Sequence, residues 1–537
     1  MSDMPWVTIS ILLPLAAGAL LLLFPTRSSG MARGIALVAA LATFVSTDVV
    51  VHQFARDGAG PQLIDRQGWV SSLGLEWLVW VDGISVWLLL LTSALFLLAI
   101  GVAALRAPDR GPAFLGLLLL AEAGLIGLFS AGNLALFYVF WEAMLIPFYF
   151  LIGTWGEGDR LRNTTRFVIY TMVGSLVMLV GIVATAYTAK QTTGQFTFDI
   201  DALRGVAFTR TESIWLFAAF ALAFAIKLPL WPFHGWMPGA YGSAPILVTG
   251  LLAAVMSKAG VYGLLRIGVP LFPDGAETFK YPIILLALTG IIYGSLVAWR
   301  QTTMRMVVAY SSLAHLGFIA LAIMSFDNQA GQGAVLQMVN HGVVVAAAFV
   351  IVGILSSRTG HEEVDDIGGL ANGAPWLAGL FLVVTMASLA IPGSNAFAGE
   401  FFILSGVFRQ DWWVATIASI GIVYAAVYML RLYQSSMNGP LRGGEPRKVE
   451  LTWADAAVLV PLIGVMAVLA LWPAAIIGGT TRTVERTMAP AQLASPGFPQ
   501  DLIRGSVTRN PPAEALPLPG DPDPAVPEVQ QSQEPTP

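Results

Sequence analysis

Seven ionisable residues lie inside apolar runs that rarely keep such groups: Glu122, Glu142, Lys227, Lys258, His315, His341 and Glu400. A charged side chain at bilayer depth costs about 2.5–3.5 kcal/mol on insertion scales, so a chain retains one where it is paired, hydrated or used. For a single residue, an interhelical hydrogen bond or ion pair is explanation enough. Packing does not call for a series of them on separate segments, and intramembrane charges commonly mark ion or proton paths. The residue types suit proton transfer. Burial disfavours the charged forms of lysine and glutamate alike, and an approaching opposite charge restores them. A Glu142–Lys227 pair would keep the lysine protonated, and separating the two would release its proton. Lys227 and Lys258, if close, would titrate as a coupled set. Histidine, with an unperturbed pKa of about 6.5, relays between stronger acids and bases.

Transmembrane helices must hold these groups. The chain of 537 residues is 56% hydrophobic and 11% charged, against about 25% charged in soluble domains. Apolar runs of about 20 residues recur along most of its length, the signature of spanning helices. Fourteen are expected, near 5–25, 31–52, 82–105, 113–130, 133–154, 167–190, 212–238, 244–267, 281–299, 304–325, 334–356, 374–406, 411–434 and 453–478. The first is read as a retained helix, since no charged n-region precedes it. Loops after odd-numbered helices carry 14 Lys and Arg residues against 8 in the others, which places the odd-numbered loops in the cytoplasm and both termini outside. Asp48 and Asp82 fall near helix ends, within expected reach of water. The net charge of −5 gives no reason to expect nucleic acid as a partner. Cysteine is absent, which excludes disulfides and thiolate-ligated iron–sulfur or zinc sites in this chain.

Two segments should be broken. Pro229 and Pro232 follow Lys227 directly, and Ile391-Pro392-Gly393-Ser394-Asn395 interrupts the long run at 374–406. Lys227 then ends one half-helix and Glu400 lies early in another, each at the end whose dipole favours its sign. Discontinuous helices in corresponding places point to internal repeats around an ion path. The expected fold is an all-α polytopic membrane protein of about 14 helices with two inverted five-helix repeats, 113–267 and 281–434. N-terminal helices within 1–112 and a last helix at 453–478 flank the repeats. Nine prolines fall in the last 27 residues, so 479–537 is expected to be a disordered tail.

At these residues the chain resembles a known family. Phe140-Trp141-Glu142-Ala143-Met144-Leu145-Ile146-Pro147, with Trp155-Gly156, is similar to the fifth-helix motif of the M-type antiporter-like subunits of bacterial complex I, the proton-pumping NADH:quinone oxidoreductase. Their mitochondrial counterpart is NADH dehydrogenase subunit 4. The stretch from Lys227 through Trp231, His234 and Trp236 to Pro238 resembles the seventh helix of that family, and Lys258 through Tyr262 to Arg266 the eighth. Ala309 through His315 to Phe318, Asn340-His341-Gly342, and Ala390 through Glu400 resemble the later motifs. Glutamate at 400 resembles the M-type, where the related L and N subunits carry lysine. The likeness covers residues 80–435. It implies Glu142 and Lys227 as a charge-switch pair, Lys258 as central carrier, His315 and His341 as relay and Glu400 as exit acid. Glu122 is accessory, either hydrating the proton path or bonding a neighbouring helix.

The same resemblance implies a proton-translocating subunit in the bacterial plasma membrane, alongside other membrane subunits including L and N. It implies no cofactor in this chain, with flavin, iron–sulfur clusters and quinone held by partner subunits. One departure stands out. The family commonly continues Pro-Asp-Ala-His-x-Glu-Ala-Pro, where this chain reads Pro238-Gly239-Ala240-Tyr241-Gly242-Ser243-Ala244-Pro245. The alternatives are a subunit of a multi-subunit sodium/proton antiporter or membrane-bound hydrogenase, a haem-binding electron carrier using His315 and His341, and a passive scaffold.

Overall fold

Helices account for nearly all the regular structure because the chain is apolar in runs long enough to span lipid, where backbone polar groups must be satisfied within the segment. The computed structural model describes residues 4–24, 29–70, 74–106, 110–440 and 449–496. Among these, 12 helices are long and apolar enough to cross a membrane. The two remaining expected segments are interrupted, with helices Arg210–Lys227 and Pro375–Ser388 each stopping at a break. Several spans run longer than the sequence suggests. Arg160–Thr193 replaces 167–190 and Asn328–Thr359 replaces 334–356, because their polar end turns remain helical outside the apolar stretch.

The helices sort by burial. In the helices carrying His315, Glu122, His341 and Lys258, the shares of the most apolar window that are buried are 94%, 89%, 89% and 83%. The first helix, Trp6–Leu23, has 33%. Those four helices are therefore the innermost of the 12, with an outer layer exposing Leu23, Val180, Leu285 and Val423. An apolar surface of that extent is stable against lipid and would aggregate in water.

Two elements differ from expectation. The stretch 53–81, read as a loop, contains an antiparallel hairpin, Gln62–Val70 with Leu75–Val81, in which Gln62 faces Val81 and Gly68 faces Glu76. Its turn includes Gly74 at φ +63°, a left-handed conformation that glycine takes without strain. Part of the expected tail is also ordered. The helix at 453 ends at Leu471, before Pro473, and residues 479–494 lie in a further helix, Ala474–Ala494. That helix buries Thr480, Thr483, Val484, Thr487, Met488 and Ala491, a spacing of three and four that marks one face. Threonines serve there where larger apolar residues were looked for, so composition alone misjudged the segment. Residues 497–537 lie outside the described residues.

Candidate functional site

Each break sets its charge in place. The Lys227 helix begins at a capping box, Thr209 with Glu212, and runs to Lys227 itself. Past it, Leu230 N donates to Ala225 O at 2.8 Å rather than to Ile226 O. The freed Ile226 carbonyl instead accepts from the Trp236 indole at 2.8 Å, so the helix end is satisfied inside the protein. The Lys258 helix packs directly on this end. A Cβ on Gly260 would lie 2.6 Å from both Leu228 N and Phe224 O, which are backbone atoms with little room to move. Gly260→Ala is therefore expected to cost about 1–3 kcal/mol by overpacking, read as a lower melting midpoint of the purified assembly. An unchanged midpoint would show that the approach is slack.

Lys258 occupies an unusual helix. π-Helical turns Leu252–Met256 and Leu264–Gly268 bracket it, and such turns recur at functional sites. Its Nζ donates to Ala253 O at 2.6 Å and lies 2.7 Å from His341 Nδ1. When Lys258 is an ammonium, which has donors only, Nδ1 accepts and a neutral His341 carries its proton on Nε2. The His341 and His315 rings are 5.4 Å apart between centroids. His315 Nδ1 is 3.0 Å from Glu400 Oε1, and Gln337 Nε2 donates to the same oxygen at 3.1 Å. All of these side chains are buried.

The second break is held by amides. Asn340 donates to Asn395 O at 2.8 Å and Asn395 Nδ2 returns a bond to Asn340 Oδ1 at 3.2 Å, tying the His341 helix to the first residue of Asn395–Gln410. Glu400 therefore sits in the second turn of a helix whose start is pinned to its neighbour. From sequence, Gln337 has no assigned role, and Asn340 and Asn395 stand only as members of motifs. Their signal was there, since buried amides within spanning helices need partners as much as charges do.

At the other end the geometry is looser. Lys227 is buried and its Nζ lies 5.0 Å from the centroid of the Trp141 ring, a cation–π contact. No hydrogen bond engages that Nζ among the described residues. Glu142 adjoins Trp141, is only part-buried, and forms no ion pair with Lys227 within 4.0 Å among the described residues. Glu142 precedes a helix junction at Met144, which follows from Pro147 removing the N–H that Ala143 O would use. Glu142 and Lys227 are thus electrostatic neighbours rather than a closed salt bridge. Glu122 is fully buried, both its carboxyl oxygens are without a hydrogen-bond partner among the described residues, and it joins none of the other six.

One pair was assigned differently from sequence. Asp82, expected within reach of water, is 1% exposed and its Oδ2 is 2.6 Å from Arg266 Nη1. The hairpin and the Ala474–Ala494 helix, both unforeseen, cover that position: Gly83 N donates to Thr483 Oγ1 at 3.2 Å. Asp48 remains half-exposed beside His52.

These features can be set beside known proteins. Residues 131–425 match the family described as NADH:quinone oxidoreductase/Mrp antiporter, TM. NADH-quinone oxidoreductase subunit M of Mycobacterium tuberculosis is 36% identical over 524 residues, covering 91% of this chain and 95% of that protein. A chain of respiratory complex I from Thermus thermophilus superposes with a TM-score of 0.82 at 30% identity, covering 91% of this chain and all of that one. The Mrp complex from Dietzia sp. DQ12-45-1b gives a TM-score of 0.79 at 20% identity, covering 91% and 98%, a likeness of fold.

Proposed function

The chain belongs to the NADH:quinone oxidoreductase/Mrp antiporter transmembrane family, and from that premise we infer that it is an M-type, proton-translocating membrane subunit of a NADH:quinone oxidoreductase. The observation that carries this is the buried run Lys258–His341–His315–Glu400 across four helices, with Lys258 Nζ 2.7 Å from His341 Nδ1, the two histidine rings 5.4 Å apart and His315 Nδ1 3.0 Å from Glu400 Oε1. Lys258 holds the proton at Nζ and passes it to His341 Nδ1. His341 gives up the proton on Nε2 as it gains one on Nδ1, so a ring shuttles charge without moving far. His315 takes it on, and Glu400 accepts from His315 Nδ1. The first half of the path is a switch. Glu142 moving toward or away from Lys227 changes the protonation of Lys227, and with it the load on Lys258.

The repeats fit this reading. Residues 113–267 and 281–434 are assigned as inverted copies because Lys227 ends the helix before its break and Glu400 lies in the helix after its break. Oxidation of NADH, with its flavin, iron–sulfur clusters and quinone, is assigned to partner subunits, and L and N subunits are its expected membrane neighbours. The location assigned is a bacterial plasma membrane, with odd-numbered loops inside and both termini outside. The altered stretch Pro238–Pro245 lacks the family acids, so coupling runs through the buried set.

The test uses the whole complex in proteoliposomes, with protons delivered per NADH oxidised as the readout. Glu400→Gln is expected to lower that ratio without reducing the amount of assembled complex. An unchanged ratio would remove Glu400 from the path. Replacing sodium by choline is expected to change nothing, whereas a sodium requirement would favour the antiporter alternative.

A further inference from the structure

The stretch 236–245, where the chain departs from the family pattern, takes no part in the path above and carries no charged side chain. Its short helix, Met237–Ser243, is anchored at both ends. At the start, the buried Trp236 indole donates to Ile226 O at 2.8 Å, the carbonyl immediately before Lys227. Its ring lies 4.9 Å from that of Phe167 between centroids. At the far end, Arg305 Nη1 donates to Gly242 O at 3.1 Å and to Ala244 O at 2.8 Å. Arg305 is the second residue of Met304–Met324, the helix that carries His315, and its side chain is 6% exposed.

The two anchors are of different kinds. The last carbonyls of a helix have no partner within it, and here a neighbouring helix satisfies them through a planar guanidinium that fixes two acceptors at once. The other arm of Arg305, Nη2, pairs with Glu362 Oε1. Glu362 lies just past Thr359, where the helix carrying His341 ends. Its backbone is tied to the same place, since Met304 N donates to Glu362 O at 2.9 Å and Val364 N to Thr302 O at 2.7 Å. The end of the short helix, the start of the His315 helix and the segment leaving the His341 helix therefore meet at Arg305. Between the anchors the short helix is also held from the side. Asn163 Nδ2 donates to Ser243 Oγ at 2.8 Å, Glu157 N donates to Ser243 O at 2.8 Å, and a Cβ on Gly239 would fall 2.6 Å from Asn163 Oδ1.

We propose that Trp236 and Arg305 are positioning residues for Lys227, and that 236–245 is a rigid strut between them. The strut fixes the end of the Lys227 helix against the start of the His315 helix, so that the switch and the relay keep one geometry. It rests on the function proposed above and supplies the part that joins the two halves of the path. Seven helical residues span about 10 Å, and a close-packed interior transmits a displacement rather than absorbing it. Freeing either anchor lets the Lys227 helix end drift from its place beside Trp141 and Glu142. No proton travels along the strut, so it works without the family's acids.

The rival explanation is a pair of stabilising contacts with no bearing on the switch. The two anchors grip opposite ends of the short helix, so purely structural contributions would add, whereas residues that act as a unit are strongly non-additive. The experiment uses the complete complex in proteoliposomes, reading protons per NADH, with assembly followed on native gels. Trp236→Phe keeps an aromatic ring and removes the indole donor. Arg305→Lys keeps the charge and loses the fork that holds two carbonyls. Each is expected to lower the ratio toward that of Lys258→Met with assembly intact, and the double variant is expected to fall no further than the worse single one. A normal ratio in either single variant, or two losses that add, would overturn the strut. Should Arg305→Lys fail to assemble, Asn163→Ala frees the same helix from its side, and the same comparison with Trp236→Phe decides. If Lys258→Met stops pumping while these variants pump normally, the strut is wrong and the main path stands. If Lys258→Met itself pumps normally, the underlying path fails.

Discussion

Lys258→Met is expected to stop proton translocation through this subunit while the complex still assembles. The side chain bonds both to its own helix, at Ala253 O, and to the histidine relay, at His341 Nδ1. Methionine fills nearly the same space and carries no proton. Two acceptors lose a partner, a cost of about 1–3 kcal/mol each, which a large intramembrane core should withstand. Lys258→Arg is the sharper companion. Arginine keeps the charge but does not deprotonate in proteins. If Lys258 serves only to hold a positive charge against His341, arginine restores pumping; if it carries protons, arginine fails as methionine does. Native gel analysis of the assembled complex and lumenal acidification per NADH give the two readings. Normal pumping with arginine would end the carrier assignment.

The second large effect is at the switch. Glu142→Ala and Lys227→Ala are each expected to abolish pumping with assembly intact, and the structure supplies a reason for that intactness. Lys227 is held by the Trp141 face and by helix packing, with no hydrogen bond at Nζ among the described residues. Glu142 is part-buried and closes no ion pair with it. A cation–π contact is worth about 0.5–2 kcal/mol, so deleting either charge removes little stability. The double variant should pump no worse than either single one, because residues that act as a unit are strongly non-additive. Normal proton-to-NADH ratios in both single variants would refute the switch.

The chemistry of the site was legible before its geometry. Lys227, Lys258, His315, His341 and Glu400 stand out because a bilayer makes every ionisable residue conspicuous, and the prolines after Lys227 and before Glu400 announce the breaks. Which neighbour each charge meets was not legible. The supposed Glu142–Lys227 pair is open, whereas Lys258–His341 and His315–Glu400 are closed. Such contacts join residues 83 and 85 positions apart, and periodicity along a helix says nothing about which face meets which.

Sequence alone determined the class of the fold and the roster of proton-bearing groups. Both follow from the local cost of placing a side chain in lipid. Tertiary structure alone decided the order of contacts, the amide pins at Asn340 and Asn395, and the burial of Asp82. It also decided that the hairpin and the Ala474–Ala494 helix close over Arg266. Those elements lie outside the apolar spans, where a residue's fate depends on what covers it. Asp82 shows the difference: near a helix end it reads as wet, and the structure buries it against Arg266, with Thr483 of a distant helix bonded to the next residue.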